Sequence, residues 1–98
     1  MFIRDFYRHL PADTTGAFGL LTPEFQRKSG GLIGYSKFYQ DLAGVTIVGE
    51  PTAVDQGHVS ATIRFIRHSG AVSTERFQLT LSTTVDGRIQ LSGSARLP

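Results

Sequence analysis

The side chains best equipped for chemistry in this chain are three histidines, His9, His58 and His68, and eight carboxylates. No two histidines stand at metal-pair spacing, and no carboxylate cluster accompanies them, so the sequence assigns no metal ligand. The acids are scattered. Asp5 and Asp41 fall in helical segments beside aromatic positions, Asp13 stands where a helix cap belongs, Glu24 opens a helix, and Asp55 and Asp86 sit in turns. General acid–base catalysis needs groups that converge in one pocket. Only Asp5 or Asp41 lies within plausible reach of one, and a solvated helix face is the commoner fate of such residues. No catalytic residue is assigned. Cysteine is absent, which removes a thiol nucleophile, a zinc ribbon and a disulfide framework. Gly30-Gly31 lacks the lysine context of a phosphate-binding loop, and no kinase catalytic motif occurs. No cofactor follows from these residues.

Two further groups have binding potential. The tyrosines Tyr7, Tyr35 and Tyr39 need hydroxyl partners if buried. With Phe18, Phe38, Phe65, Phe77 and Leu91 they are the candidates to line a small apolar ligand pocket; core packing is the competing expectation. Arg64, Arg76, Gln78, Thr80 and Gln90 alternate with apolar residues and form the candidate interface, with Arg88 and Arg96 expected on the same face.

The elements that must position these residues divide the chain in two. Residues 1–44 carry helical spacing: Phe2, Phe6 and Leu10, ended by Pro11; Phe18, Leu20 and Leu21 behind the cap Asp13; and Thr22-Pro23-Glu24, a cap followed by proline at the first helical position. A third main helix has Tyr35, Phe38, Tyr39 and Leu42 on one face and stops at Gly44. Residues 45–98 alternate instead. A strand over 45–54 is interrupted by Gly49 and Pro51, which predicts an edge or a bulge. Val59, Ala61, Ile63 and Phe65 then share one face, as do Phe77, Leu79 and Leu81, and Ile89, Leu91, Gly93, Ala95 and Leu97. Pairing Phe65 with Phe77 sets Ile63 against Leu79 and Arg67 against Glu75. Leu81 opposite Leu91 leaves Val85-Asp86-Gly87 as a hairpin loop with Gly87 left-handed. On this reading no inward position of the last three strands titrates, and Phe65 and Phe77 are fully buried.

Helices first and strands afterwards predict an α+β domain, its helices on one face of a curved, mainly antiparallel four-stranded sheet. A length of 98 residues suits one domain over 1–98, and 40% hydrophobic with 18% charged residues argues against disorder. No apolar run reaches the ~20 residues of a membrane span. The N-terminus has no signal-peptide layout and enters the amphipathic pattern at residue 2, so we expect a domain excised from a longer chain. Net charge is +2, and the longest basic run is Arg27-Lys28. That is no nucleic-acid stripe, and the polar strand face lacks interleaved aromatics, so nucleic acid is not an expected partner.

The stretches Phe2-Ile3-Arg4-Asp5-Phe6-Tyr7, Leu10-Pro11-Ala12-Asp13 and Ala17-Phe18-Gly19-Leu20-Leu21-Thr22-Pro23-Glu24-Phe25-Gln26 resemble the helical opening of the nuclear-transport-factor-2-like superfamily, also called SnoaL-like or cystatin-like. Gly30-Gly31, Tyr35-Ser36-Lys37-Phe38-Tyr39 and Asp86-Gly87-Arg88-Ile89 continue the likeness over nearly the whole chain. More narrowly, the chain looks like the small extracytoplasmic C-terminal domain of actinobacterial membrane serine/threonine kinases and related envelope proteins. The resemblance implies a cone-shaped fold, a place on the outer side of the cell membrane reached through an upstream segment, and an accessory role in ligand sensing or protein interaction. Enzymes of the superfamily resemble one another in placing aspartate, or histidine and tyrosine, inside the cone, and those constellations have no match here. The alternatives are a small isomerase, cyclase or dehydratase acting on an apolar substrate, and a structural dimerisation domain. The expected partner is a second copy or another protein on the polar sheet face, or a small apolar ligand.

Overall fold

The computed structural model describes residues 2–97. Four short helices, α1 (Phe2–Arg8), α2 (Thr14–Phe18), α3 (Pro23–Lys28) and α4 (Gly31–Gln40), precede four strands, β1 (Leu42–Asp55), β2 (His58–Arg67), β3 (Val72–Thr83) and β4 (Ile89–Leu97). The strands form one antiparallel sheet in the order β1-β2-β3-β4. The expected α+β class with a four-stranded antiparallel sheet is therefore the observed one.

The helix ends follow from local chemistry. The Asp13 carboxylate accepts the Gly16 N–H at 2.9 Å, and the Thr22 hydroxyl accepts the Phe25 N–H at 3.3 Å. Each supplies a partner to a donor that the first turn of a helix leaves free. The expected extension of α4 to Gly44 does not occur. The helix stops at Gln40, and Leu42, buried, already belongs to β1. Asp41 is the hinge between them: its carboxylate accepts from Arg67 at 2.8 Å and its carbonyl from the His68 N–H at 3.3 Å, which ties the start of β1 to the end of β2.

Alternation sorts the sheet into two faces. Val59, Ala61, Ile63 and Phe65 of β2 are buried, whereas Ser60 and Thr62 are half-buried and Arg64 is exposed. The buried face continues through Val45 and Leu79, and meets Ile3, Phe6, Ala17, Leu21, Tyr35 and Tyr39 from the helical half. Gly49, at φ +74°, lies where the β1–β2 register shifts between Val48 and Thr52, so the interruption expected at Gly49 and Pro51 is a bulge on an edge strand.

Two features of the register differ from the alternation-based reading. Ala61, not Phe65, lies opposite Phe77, Ile63 lies opposite Glu75, and Val59 opposite Leu79. The cause is the turn. Gly70 adopts φ +93° and closes a tight loop, with Arg67 N–H to Ala71 O and Gly70 N–H to Arg67 O both at 2.9 Å. The expected pairing would have centred the turn on Ala71. The displacement is an even number of residues, so every side chain keeps its face. Phe65 and Phe77 still meet edge-to-face with ring centroids 6.1 Å apart, but Phe77 is only half-buried.

The second difference is in β4. Thr80 pairs with Gly93 while Leu81 pairs with Leu91, so Ser92 is an extra residue and its hydroxyl donates to the Thr80 carbonyl at 3.1 Å. This bulge reverses the alternation beyond it. Ser94 pairs with Leu79 and Arg96 with Phe77, which places both on the helix-side face, while Ala95 and Leu97 turn to the other. Arg96 reaches Glu75 at 2.6 Å. The expectation that no inward position titrates therefore fails at the β3–β4 end of the sheet. The Leu81–Leu91 pairing and a left-handed Gly87 at φ +88° agree with expectation.

The burial difference has a measurable consequence. Phe65→Ala costs ~3–5 kcal/mol of unfolding free energy, and Phe77→Ala costs about half that or less, because less surface is lost and water fills the space. Urea titration of the two variants checks the ranking. Equal losses would contradict the placement of Phe77 at the margin of the core.

Candidate functional site

Six of the pocket candidates, Phe18, Tyr35, Tyr39, Phe38, Phe65 and Phe77, form a continuous run of ring contacts, in which Phe38 is exposed. Phe18 contacts Tyr35 at 5.5 Å between centroids, Tyr35 contacts Tyr39 at 4.9 Å, Tyr39 contacts Phe38 at 4.8 Å, and Phe38 contacts Phe65 at 6.1 Å. Phe77 extends the run through Phe65. Tyr7 packs edge-to-face on Phe6 at 5.0 Å. Leu91 stands apart: its N–H donates to Leu20 O at 2.8 Å and its carbonyl accepts the Thr22 N–H at 2.9 Å, so the α2–α3 connection pairs with the edge of β4. The alternation pattern carried no signal for that contact, because Leu20 and Leu21 read as helix.

The tyrosine hydroxyls are unusual. Tyr7, Tyr35 and Tyr39 are all buried, and the Tyr35 oxygen makes no hydrogen bond. Burial pushes the Tyr35 phenol well above its ordinary range, and the adjacent Tyr39 and Tyr7 oxygens add to the effect. Burial likewise raises Tyr7, with Tyr39 contributing, and raises Tyr39. These are neutral phenols in a packed core, poor proton-transfer groups near neutral pH.

The concave features lie elsewhere. An open groove of about 240 Å³ runs between α1 and β1, lined by Arg4, Tyr7, Arg8, Val45, Thr46 and Ile47. Its arginines are engaged, Arg4 with Glu50 at 2.7 Å and Arg8 with Asp5 at 3.5 Å. Another, of about 390 Å³, lies between Phe2, Gly19 and Leu20 and the hairpin residues Gly87, Arg88, Ile89 and Gln90. Neither contains a carboxylate. Asp5 lies on α1, whereas Asp41 is fixed at the far end of α4 by Arg67.

The histidines form no shared site either. His9 contacts Asp13 at 3.1 Å and His58 contacts Asp55 at 2.8 Å, each within its own turn. The Asp13 carboxyl is held below its ordinary range chiefly by the Gly16 N–H, and Asp55 chiefly by His58. Asp86 is lowered by the Thr84 hydroxyl first and Arg88 second.

The interface candidates occupy one continuous surface on the opposite side of the sheet. Thr46, Arg64 and Thr74 form one row across β1, β2 and β3; Val48, Thr62, Arg76 and Leu97 form the next across all four strands; Thr52, Ser60, Gln78 and Ala95 form a third. Thr80 and Gln90 lie beyond, opposite Gly93 and Ser82. Arg64 and Arg76 are exposed, and Gln78, Thr80 and Gln90 are half-buried. Of the other arginines expected here, Arg96 lies on the helix-side face, and Arg88 is paired with Asp86 at 3.1 Å in the hairpin turn.

Compared with protein-family models, curated proteins and solved structures, the chain matches none. Among the described residues no helix is long and apolar enough to cross a membrane.

The buried phenols give a pH prediction with a definite sign. Their folded-state values are raised, while the unfolded chain ionises near the ordinary value of about 10. The phenols' contribution to stability is therefore constant below about pH 10 and is lost as pH rises above it. Phenolate absorbance should rise together with loss of the fold; a rise at the ordinary pH in an intact fold would contradict the burial. Tyr35→Phe removes an unsatisfied oxygen and should raise stability by ~1 kcal/mol; a loss of that size would mean that the hydroxyl is engaged.

Proposed function

We propose that this domain is a non-catalytic interaction module that docks a protein partner on the open face of its sheet. The observation that carries the reading is the contrast between the two sides. The helix side packs aromatic rings around hydroxyls that are neutral and shielded from solvent. The other side presents ordered rows of threonine, glutamine and arginine. Threonine, glutamine and arginine on a rigid sheet offer fixed hydrogen-bonding groups at low ordering cost, and arginine is favoured in interfaces. The resemblance to the nuclear-transport-factor-2-like cone supports an accessory role, in an envelope protein such as a receptor-type serine/threonine kinase, with the domain held outside the membrane by an upstream segment. Small-substrate isomerase, cyclase or dehydratase chemistry is less favoured, because the carboxylates do not converge on a common groove.

Site-specific photocrosslinking in cells that make the whole protein tests this reading. A crosslinker at Thr62 or Gln78 should give one discrete protein adduct, and a crosslinker at Gln40 on α4 should not. The reverse pattern would move the interface to the helices. Isomerase or cyclase turnover that Asp5→Asn or Asp41→Asn abolishes would overturn the non-catalytic reading.

A further inference from the structure

All eight acidic side chains of the chain lie within 3.5 Å of a basic one. Six Lys or Arg residues and two histidines take up those contacts, which leaves Arg27, Lys37, Arg64 and Arg76 without a carboxylate among the described residues. Arg27 and Lys37 lie on separate helices. Arg64 and Arg76 are neighbours. Arg64 faces Thr74 and Arg76 faces Thr62, so the two arginines stand on the diagonal of adjacent strands, ~7–8 Å apart along the backbone and somewhat closer at Cβ by ordinary sheet geometry. Both project from the open face, and no acidic side chain pairs with either.

We propose that Arg64 and Arg76 form a carboxylate-binding pair, and that the partner docking on this face is an acidic protein segment. This rests on the reading of the open face as the docking surface and adds the chemistry of the partner. Two planar guanidiniums side by side bind carboxylates through paired N–H donors, a geometry that lysines do not reproduce. Thr62 and Thr74 supply further donors in the same rows, and Leu97 beside Arg76, with Val48 beside Thr62, adds apolar surface for the stem of a glutamate. A second copy of the chain is a poor fit. In a two-fold contact this face meets itself, and no carboxylate in its rows is there to answer Arg64 and Arg76. Nucleic acid is a poor fit because Phe65 and Phe77, the only strand aromatics, lie on the opposite face, so this face offers no ring for base stacking.

Fluorescence anisotropy at low salt with a labelled Glu-Thr repeat peptide is the test. Wild type should bind, and Arg64→Gln with Arg76→Gln should weaken binding about tenfold or more. Arg27→Gln with Lys37→Gln removes the same charge elsewhere and should change it less than about twofold. Replacing both sheet arginines by lysine should recover only part of the loss. Amide shifts induced in the wild-type domain by the peptide should centre on Thr46, Thr62, Arg64, Thr74 and Arg76, which tests the site without relying on any variant. Equal losses in the two Gln pairs would reduce the effect to net charge and overturn the proposal. So would no binding to the peptide, tighter binding to polydeoxythymidine or phosphatidylglycerol vesicles, or sedimentation as a dimer through this face. If the peptide fails while crosslinking from Thr62 and Gln78 still yields a protein adduct, the acidic-partner proposal falls and the docking surface stands.

Discussion

Every assignment of surface and core in this domain depends on the alternation of β2. Its residues Val59, Ala61, Ile63 and Phe65 are buried at every second position, and the pleat then sends Ser60, Thr62 and Arg64 to the other side. β2 is paired along both edges, so it transmits this sorting to β1 and β3 through its register. The helices complete the core against one side only at the positions that β2 and its neighbours make apolar: Ile3 and Phe6 from α1, Leu21 from the α2–α3 connection, and Tyr35 and Tyr39 from α4. Burying a Phe- or Ile-sized side chain is worth ~1.5–3 kcal/mol, which makes a one-residue slip of β2 prohibitive.

The charges are arranged on top of that sorting. The ion pairs are local or edge contacts between exposed or half-exposed groups, and each contributes little to stability. Their importance lies in what they consume. Arg4 and Glu50 link α1 to β1, Arg67 and Asp41 tie the start of β1 to the end of β2, and Arg96 with Glu75 closes the helix-side margin of β3 and β4. After these contacts the uncommitted arginines of the sheet are the adjacent pair on the open face. A net charge of +2 spread over the surface would mean little; a small surplus concentrated on two diagonal positions of a rigid sheet is the feature on which the proposed acidic partner would dock.

Much of this was legible in the residues, and the misses have physical causes. Asp13 and Thr22 could be read as caps and Gly87 as a left-handed turn residue, because those roles depend on one residue and its nearest neighbours. Face assignment in β2 and β3 was legible because alternation is insensitive to an even slip. The β2–β3 register was not, for the same reason. Aromatic pairing favoured Phe65 with Phe77, while the preference of Gly70 for a positive φ favoured the tighter turn, and the turn prevailed. The reversal of Ser94 and Arg96 depends on a single inserted residue, Ser92, that alternation alone does not reveal. Leu42 matched a helical spacing from Tyr35, yet Asp41 ends the helix by bonding to β2. Of the site, Arg64, Arg76, Gln78, Thr80 and Gln90 were recognisable as one face. That Arg64 and Arg76 are the pair left without carboxylates required the positions of all eight acids.

The most direct test of the open sheet face as the working surface is relaxation of threonine methyl groups by a soluble paramagnetic chelate. Thr46, Thr62 and Thr74 lie in the two central rows of that face, while Thr14 and Thr22 belong to the helical half. In the isolated domain the chelate should relax Thr46, Thr62 and Thr74 strongly. In the whole protein bound to its partner those three methyls should be shielded, with Thr14 and Thr22 unchanged. Shielding of Thr14 and Thr22 while Thr46, Thr62 and Thr74 remain accessible would contradict the account.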